Sequence, residues 1–516
     1  MKKNTLILLF ALFHFSMHGQ SFEWVTMPNT FNTSTGLFVE KDLSGNIYVA
    51  GVYDNSASDS TKGIFVSKFN SSGTIQWIQK MPAHLTHANG FTVDKTGNAS
   101  IIGGFGNNGF IQTPTIILTS NSNNMYLIKF NTLGVLQFAI KSDLGSSAIG
   151  ENVSSDDKGN IYIIGKFINK VVLPCTSFTS PSVNHCFLVK YSPTGTCLWA
   201  KHLKSWSFDG GAANSKIKTD KDGNSYISGH FFNNFQFDST KINSHHDLSE
   251  YDQDIFLAKV DSSGNLLWVR VLGGNSQELS GPLSIDIAGN TYLSGYFSSD
   301  PAYFDSRSLN RLYPMPKDNY FTAKYNRDGN CIWVKNDYVG TICANPSGEY
   351  YTDFPGFITK YDAYGNEVWT QQISEAYNFG MATDNTNNIY ITGCLKGTAI
   401  FGDDTLNSDN LQMFIAKLYD PHSTSGIIEN NGDNALLNVY PNPSKGLFAI
   451  SYKVSGVQQI RLSVLNTAGQ CVYSKFHPSF GGDLNDSIDL SKHAKGIYLI
   501  QIVGEKSTYT RKIVLY

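Results

Sequence analysis

From residue 21 to residue 420 the apolar and polar positions alternate in short runs, and each run is closed by a cluster of Asp, Asn, Gly or Ser. Alternation at period two, bounded by turn residues, predicts one strand after another with tight connections. The stretch that sets the pattern is DIFLAKVDSSGNLLW, Asp254–Trp268: a strand, a turn and a second strand. Its first half recurs seven times along the chain.

Three landmarks return in fixed order, as repeat architectures require. The first is a turn, Asp-x-x-Gly-Asn or a near variant, at Asp42–Gly45, Asp94–Gly97, Asp156–Gly159, Asp220–Gly223, Asp286–Gly289, Asn345–Gly348 and Asp384–Asn387. Asp or Asn in first place and Gly in fourth is the preference of a type I turn. The second is an aromatic-x-x-Lys strand starting at Phe65, Tyr126, Phe187, Phe256, Phe321, Phe357 and Phe414. The third is Gly-x-x-x-Trp, ending at Trp77, Trp199, Trp268, Trp333 and Trp369, with Phe138 in the tryptophan place after Gly134.

That leaves one tryptophan missing from the end of the array, and Trp24 supplies it from the front. Trp24 precedes Asp42 by 18 residues, as Trp268 precedes Asp286 by 18. The first strand of the array therefore matches the last strand of a unit. A ring whose last unit is completed from the other terminus explains the offset, because it pairs the edges that an open array leaves bare. Around the fourth unit the strands are expected at Lys216–Thr219, Ser225–Phe231, Ile255–Val260 and Leu266–Val271. The expected fold is all-β: a seven-bladed β-propeller closed by the N-terminal strand, followed by a small C-terminal β-sandwich. A β-solenoid is the rival, but its repeats are shorter and need no split unit.

These landmarks resemble the SBBP (seven-bladed β-propeller) repeat family of secreted bacterial proteins, whose units run roughly G-x-F…F…D-x-F-L-A-K-Y-D…G…W. Gly229-His230-Phe231 through Trp268 follows that pattern, and the resemblance covers residues 21–420. Unit six departs from it: only a few residues separate Tyr351 from Phe357, which predicts a trimmed blade.

The flanks divide the chain further. Two lysines, the apolar run Leu6–Phe13 and small or polar residues near Gly19 and Gln20 have the layout of a signal peptide, expected over 1–19. That run is too short to cross a hydrocarbon layer of about 30 Å, and no later segment is long enough, so no membrane span is expected in the mature chain. The propeller is expected over 20–422, a small and polar linker over 423–434, and the sandwich over 435–516. In the last of these, Tyr440-Pro441-Asn442-Pro443 with Gly446, then Gly469, then Gly496 with Tyr498, and Lys512 near the end, resemble the type A C-terminal sorting domain of the type IX secretion system of Bacteroidetes. The resemblance implies export across the outer membrane, the type IX secretion machinery as a partner, and release or attachment at the cell surface.

Composition narrows the function. A net charge of −3 without a basic block argues against nucleic acid or an anionic membrane as partner. Seven cysteines include no C-x-x-C pair, so no structural metal site is expected, and the odd count leaves at least one thiol unpaired without fixing which.

A group present in every unit serves the scaffold more readily than it serves catalysis. The seven lysines Lys68, Lys129, Lys190, Lys259, Lys324, Lys360 and Lys417 are expected to pack along the blades, and the tryptophans to pack between them. Asp220-Lys221-Asp222-Gly223-Asn224 begins like a calcium loop, yet its twelfth position is Phe231 rather than Glu. Sialidase-like Asp boxes place Asp and Gly two apart, where here they are three apart. No vicinal cysteine pair of the quinoprotein kind occurs, and no G-x-S-x-G elbow. No catalytic residue, cofactor or metal ligand is assigned.

Parity places a ligand. In an up-and-down blade the one–two and three–four links share a face, while the two–three links and the crossovers share the other. The first set is uniform and the second varies widely, and recognition rides on variable loops. On that face Trp206, Asp209, His245, His246, Asp247, Glu250, Tyr251 and Asp252 form the richest polar and aromatic patch. The expected function is an exported binding or adhesion scaffold taking a glycan or a protein ligand. The alternative is an extracellular carbohydrate-active hydrolase or lyase, and a structural surface-layer component is a third reading; fold alone chooses none.

Overall fold

The computed structural model describes residues 20–515, apart from 56–61, 144–145, 182, 206–212, 246–252, 314–318, 355, 385–387, 421–436, 441–443, 467–470 and 504–507. The expected signal peptide and linker lie outside the described residues. The chain divides into two compact units after His422.

In the first unit the described strands pair antiparallel, and the repeated landmarks lie on four-stranded meanders such as Glu278–Ile285, Thr291–Phe297, Asn319–Tyr325 and Cys331–Asn336. Unit four consists of Ala213–Thr219, Ser225–Phe232, Gln253–Val260 and Leu266–Gly273, within three residues of the sequence expectation at every edge. Its first turn shows why the landmark recurs. Asp220 Oδ1 accepts from the backbone N–H groups of Asp222 and Asn224 at 3.0 and 2.9 Å, and Gly223 takes φ +84° to close the turn. The carboxylate that resembled a calcium ligand is engaged by its own turn.

The second and third strands of the units are buried on both faces, which only stacked sheets can achieve. Each hydrophobic cluster accordingly draws on two adjacent units: Ile164 and Leu188 of unit three meet Ile227 and Phe256 of unit four, and Tyr390 and Ile415 of unit seven meet Val49 and Phe65 of unit one. Four-stranded meanders stacked face to face in this way make a β-propeller. Strand Ser21–Thr26 pairs antiparallel with Asp404–Tyr419, so Trp24 lies opposite Lys417 in the last sheet. The trimmed unit six keeps four strands, with a first strand of three residues, Ile342–Ala344.

The two–three links hold structure that the sequence pattern did not predict. In the long link of unit four, Asn234–Phe237 and Thr240–Asn243 form a hairpin that pairs with Cys197–Ser205, the outer strand of unit three. Ala302–Phe304 and Arg307–Leu309 do the same on the outer strand of unit four. An unpaired sheet edge is a liability, and these hairpins cover it. Phe235 and Phe237 anchor the first hairpin, with the Phe235 ring stacked 4.8 Å from that of Phe256. One disulfide, Cys175–Cys197, ties the corresponding link of unit three to the start of that unit's outer strand.

The C-terminal unit is one sheet folded over itself. The two long strands Leu447–Asn466 and Cys471–Asp489 pair along their length, with register breaks around residues 454–460 and 477–482. Before the break Leu447–Asn466 is flanked by Leu437–Tyr440, and after it by Gly496–Val503, which pairs with Thr508–Leu515. Residues from both halves, Phe448 and Ile450 with Leu462, Ile500 and Ile513, share one core, so the halves face each other as a small sandwich.

Candidate functional site

The repeated residues act between blades. In units one, three, four, five and six the tyrosine after the first turn packs under the lysine of the third strand; Lys190 lies 4.8 Å from the Tyr162 ring and Lys324 4.8 Å from that of Tyr292, while Ser100 takes the tyrosine's place opposite Lys129 in unit two. The ammonium then reaches into the three–four turn of the next unit. Lys190 Nζ and Trp199 Nε1 both donate to the carbonyl of Ser262, at 3.0 and 3.2 Å, and Lys324 and Trp333 both donate to that of Ala363, at 3.1 and 3.3 Å. Trp24 Nε1 donates to Ser71 O at 3.1 Å, linking the last sheet to the first in the same way. Lysine and tryptophan thus share one turn carbonyl at four seams, those made by Lys68, Lys190, Lys259 and Lys324, which accounts for their common spacing.

On the variable face, His245 is the one member of the expected patch among the described residues. Trp206, Asp209, His246, Asp247, Glu250, Tyr251 and Asp252 lie outside them. His245 stands just before the third strand of unit four, which begins at Gln253. Asp254 is buried there, and its Oδ2 lies 2.6 Å from both the backbone nitrogen and Nδ1 of His245. That bond raises the histidine's pKa. Tyr303, exposed on the neighbouring edge hairpin, stacks on the imidazole at 6.1 Å.

A second carboxylate stands behind this pair. Glu278 opens the first strand of unit five, fully buried, and accepts from the backbone nitrogens of Gly274 and Ser299 at 3.0 Å each. Burial, with the charge of Asp254 adding, pushes its pKa up to about 8. The two carboxylates close on Gly273, where a Cβ would fall 2.0 Å from Asp254 Oδ1 and 2.6 Å from Glu278 Oε2. A histidine oriented by a buried aspartate beside a protonated acid can exchange protons. Among the described residues no group of three or more His, Cys, Asp or Glu is gathered as a metal ion would need. Asp254 and Glu278 escaped the sequence reading because one looked like the start of a scaffold strand and the other lies in a different unit; Tyr303 sits on an edge hairpin that the sequence pattern did not reveal.

Of the sorting-motif residues, Pro441, Asn442, Pro443 and Gly469 lie outside the described residues. Tyr440 ends its strand opposite Ala449, and Lys512 faces Leu499 across the last pair. Gly446 sits where a Cβ would approach the Ser491 backbone to 2.6 Å, and its carbonyl accepts from Leu490 N at 2.8 Å. Gly496 opens the penultimate strand, and Tyr498, buried in the sandwich core, donates its hydroxyl to Ala494 O. Among the described residues no helix is long and apolar enough to cross a membrane.

Known proteins resemble the two parts differently. An uncharacterized WD repeat-containing protein of Acanthamoeba polyphaga mimivirus is 22% identical over 81% of this chain, which spans only 35% of that protein's length. Among solved structures, the β-propeller domain of the Trilobed protease from Pyrococcus furiosus matches at TM-score 0.38 and 6% identity, over 72% of this chain and 97% of that one. A protein of unknown function from Dyadobacter fermentans matches at TM-score 0.37 and 9% identity, over 78% and 99%. Likenesses this distant carry nothing about activity. The tail is another matter: residues 438–516 match the family described as the secretion system C-terminal sorting domain. The C-terminal unit is such a domain, and it marks the protein for type IX export to the cell surface or beyond.

Proposed function

We propose that this protein is an exported binding scaffold, a closed seven-bladed ring of the SBBP kind whose variable face engages an extracellular glycan or protein. One observation carries the reading: the recurring lysines and tryptophans are engaged at the seams, while the two–three links differ from unit to unit, from the trimmed link of unit six to the hairpin-bearing link of unit four. Closure is supported by Trp24 on Ser71, by Gln412 Nε2 donating to Phe31 O at 2.9 Å, and by Lys218 of unit four lying 3.6 Å from Glu40 of unit one. The domain division at residues 20–422 and 435–516, with a signal peptide ahead of it, belongs to the same reading.

The His245–Asp254 pair with Glu278 favours a second reading, a carbohydrate-active hydrolase or lyase using that face. The two part in one experiment. Full-length protein is passed over immobilised xylan, glucan, mannan, alginate and polygalacturonate while release of new reducing ends or unsaturated products is followed. Retention without release is the expected result; release would move the protein among the enzymes.

A further inference from the structure

Five aromatic rings form a continuous row on the variable face of units five and six. Tyr296 is the last residue but one of the second strand of unit five and lies opposite Tyr320, the second residue of the third. Tyr338 stands in the crossover to unit six, Phe354 ends the second strand there, and Phe357 opens the third. Successive ring centroids are 5.9, 4.5, 5.4 and 6.4 Å apart, and the first three contacts are edge-to-face. Two rings of the row stand open and three are half-buried: Tyr338 is 41% exposed and Phe354 51%.

The row is held in place. Val339, beside Tyr338, is buried in the seam between units five and six. Gly340 N donates to Asp353 O at 2.9 Å, and Thr341 N donates to the Asp353 carboxylate. Asp353 is itself buried, so the crossover that presents Tyr338 is clamped to the strand that presents Phe354. Preorganised rings lose little freedom when they bind.

Among the described residues, two charged pairs of these units are already made. Lys335 lies 3.0 Å from Asp337 and 3.6 Å from the Tyr361 ring centroid, and Arg311 lies 3.5 Å from Asp300. An acidic or basic ligand would find no counter-charge in these groups. The contacts run from one ring to the next, Tyr296 to Phe357, with the two exposed rings Tyr338 and Phe354 adjacent at the centre of the row. A linear polymer with repeating C–H faces suits such a line, and tyrosine hydroxyls at the ring edges can meet its hydroxyl groups. A protein interface would call for a broader patch with an apolar centre, about 800 Å² on each partner.

We infer that Tyr296, Tyr320, Tyr338, Phe354 and Phe357 form a stacking track for an uncharged polysaccharide. The inference rests on the binding-scaffold reading and gives it a ligand class and a position. The test is affinity electrophoresis of the full-length protein in native gels cast with soluble xylan, glucan, mannan, alginate or polygalacturonate. At least one neutral polymer should retard the protein. Tyr338→Ala with Phe354→Ala should weaken that retardation at least about tenfold, while Tyr338→Phe with Phe354→Trp keeps it. Tyr364→Ala, a 72% exposed ring in a three–four turn on the opposite face, should leave it unchanged.

Retardation that survives the double alanine variant, or that occurs only with the acidic polymers, overturns the track and leaves the scaffold reading standing. No retardation by any polymer overturns the glycan assignment of both. A dimer seen by analytical ultracentrifugation in the parent and lost in the double alanine variant assigns the row to a second copy of the chain, and overturns the inference too.

Discussion

Lys360 and Asp420 meet at 2.6 Å with both side chains fully buried. Lys68, Lys129, Lys190, Lys259 and Lys324 each end on a turn carbonyl of the next unit, but unit seven has no complete three–four turn to offer, because its last strand, Ser21–Thr26, comes from the front of the array. The Asp420 carboxylate takes the place of that turn carbonyl, accepting from Tyr351 Oη at 3.0 Å and Trp369 Nε1 at 3.1 Å as well as from the lysine. Glu349, 3.1 Å from Lys360, is the lysine's other anionic neighbour. Removing one partner of a buried pair strands the other, so Asp420→Ala should cost about 3–5 kcal/mol in denaturant unfolding. Replacing both, as Lys360→Met with Asp420→Leu, should cost less than Asp420→Ala alone.

The seam at the chain's beginning makes a second prediction. The Trp24 indole lies over Gly73, where a Cβ would come within 2.7 Å of its ring, and it donates to Ser71. Trp24→Ala removes both contacts at the seam between the last sheet and the first. The expected cost is about 2 kcal/mol, and limited proteolysis should cut first near residues 20–30. Equal sensitivity elsewhere would mean that this seam is not what the tryptophan secures.

Acid should loosen unit three. His185 Nδ1 and His202 Nε2 lie 2.7 Å apart, and Phe178 stacks on His202 at 4.9 Å. Burial lowers the pKa of both, that of His202 to about 4, with His185 and Lys204 adding to the effect. A histidine with a depressed folded pKa binds fewer protons folded than unfolded, so its contribution is present above about pH 6.5 and fades as pH falls toward 4. His202→Phe should remove on the order of 1–2 kcal/mol of the stability lost between those values. An unchanged pH profile would count against the neutral pair.

The carboxylate pair on the variable face works in the opposite sense. Glu278 titrates near 8 folded and near 4.5 unfolded, so the folded state holds the extra proton and stability falls as pH rises through 8. His245, raised by Asp254, adds in the same direction, contributing below about 6.5 and losing that contribution above its folded value. Glu278→Gln should flatten the loss of stability between pH 5 and 9. A variant whose curve keeps the parent's slope would show that Glu278 is ionised throughout.

The scaffold was open to reading because its cause is repeated. Lys259 has a counterpart in all seven units, and Asp220 and Trp268 in all but those where Asn345 and Phe138 stand in, so counting them reveals their spacing. The edge hairpins were not legible: Asn234–Phe237 is four residues long, too short for alternation to register, and its partner is the outer strand of the previous unit. The His245–Asp254 pair was half legible, since the loop was recognised as rich while its orienting carboxylate sat on a strand that looked like every other. The aromatic row spans residues 296–357, with each ring in a different local context, and only the fold lines them up. Cys175 and Cys197 could not be matched from seven cysteines without the hairpin that brings them together.

Hydrogen exchange of the full-length protein, with and without whichever neutral polysaccharide retains it, tests the central claim most directly. The variable face is predicted to carry recognition while the repeated turns serve the scaffold. Protection on binding should therefore fall on peptides covering residues 296–297, 319–321, 337–341 and 353–358, with the turns at 42–46, 94–98 and 156–160 unchanged. Protection centred on those turns, or spread evenly over both faces, would contradict it.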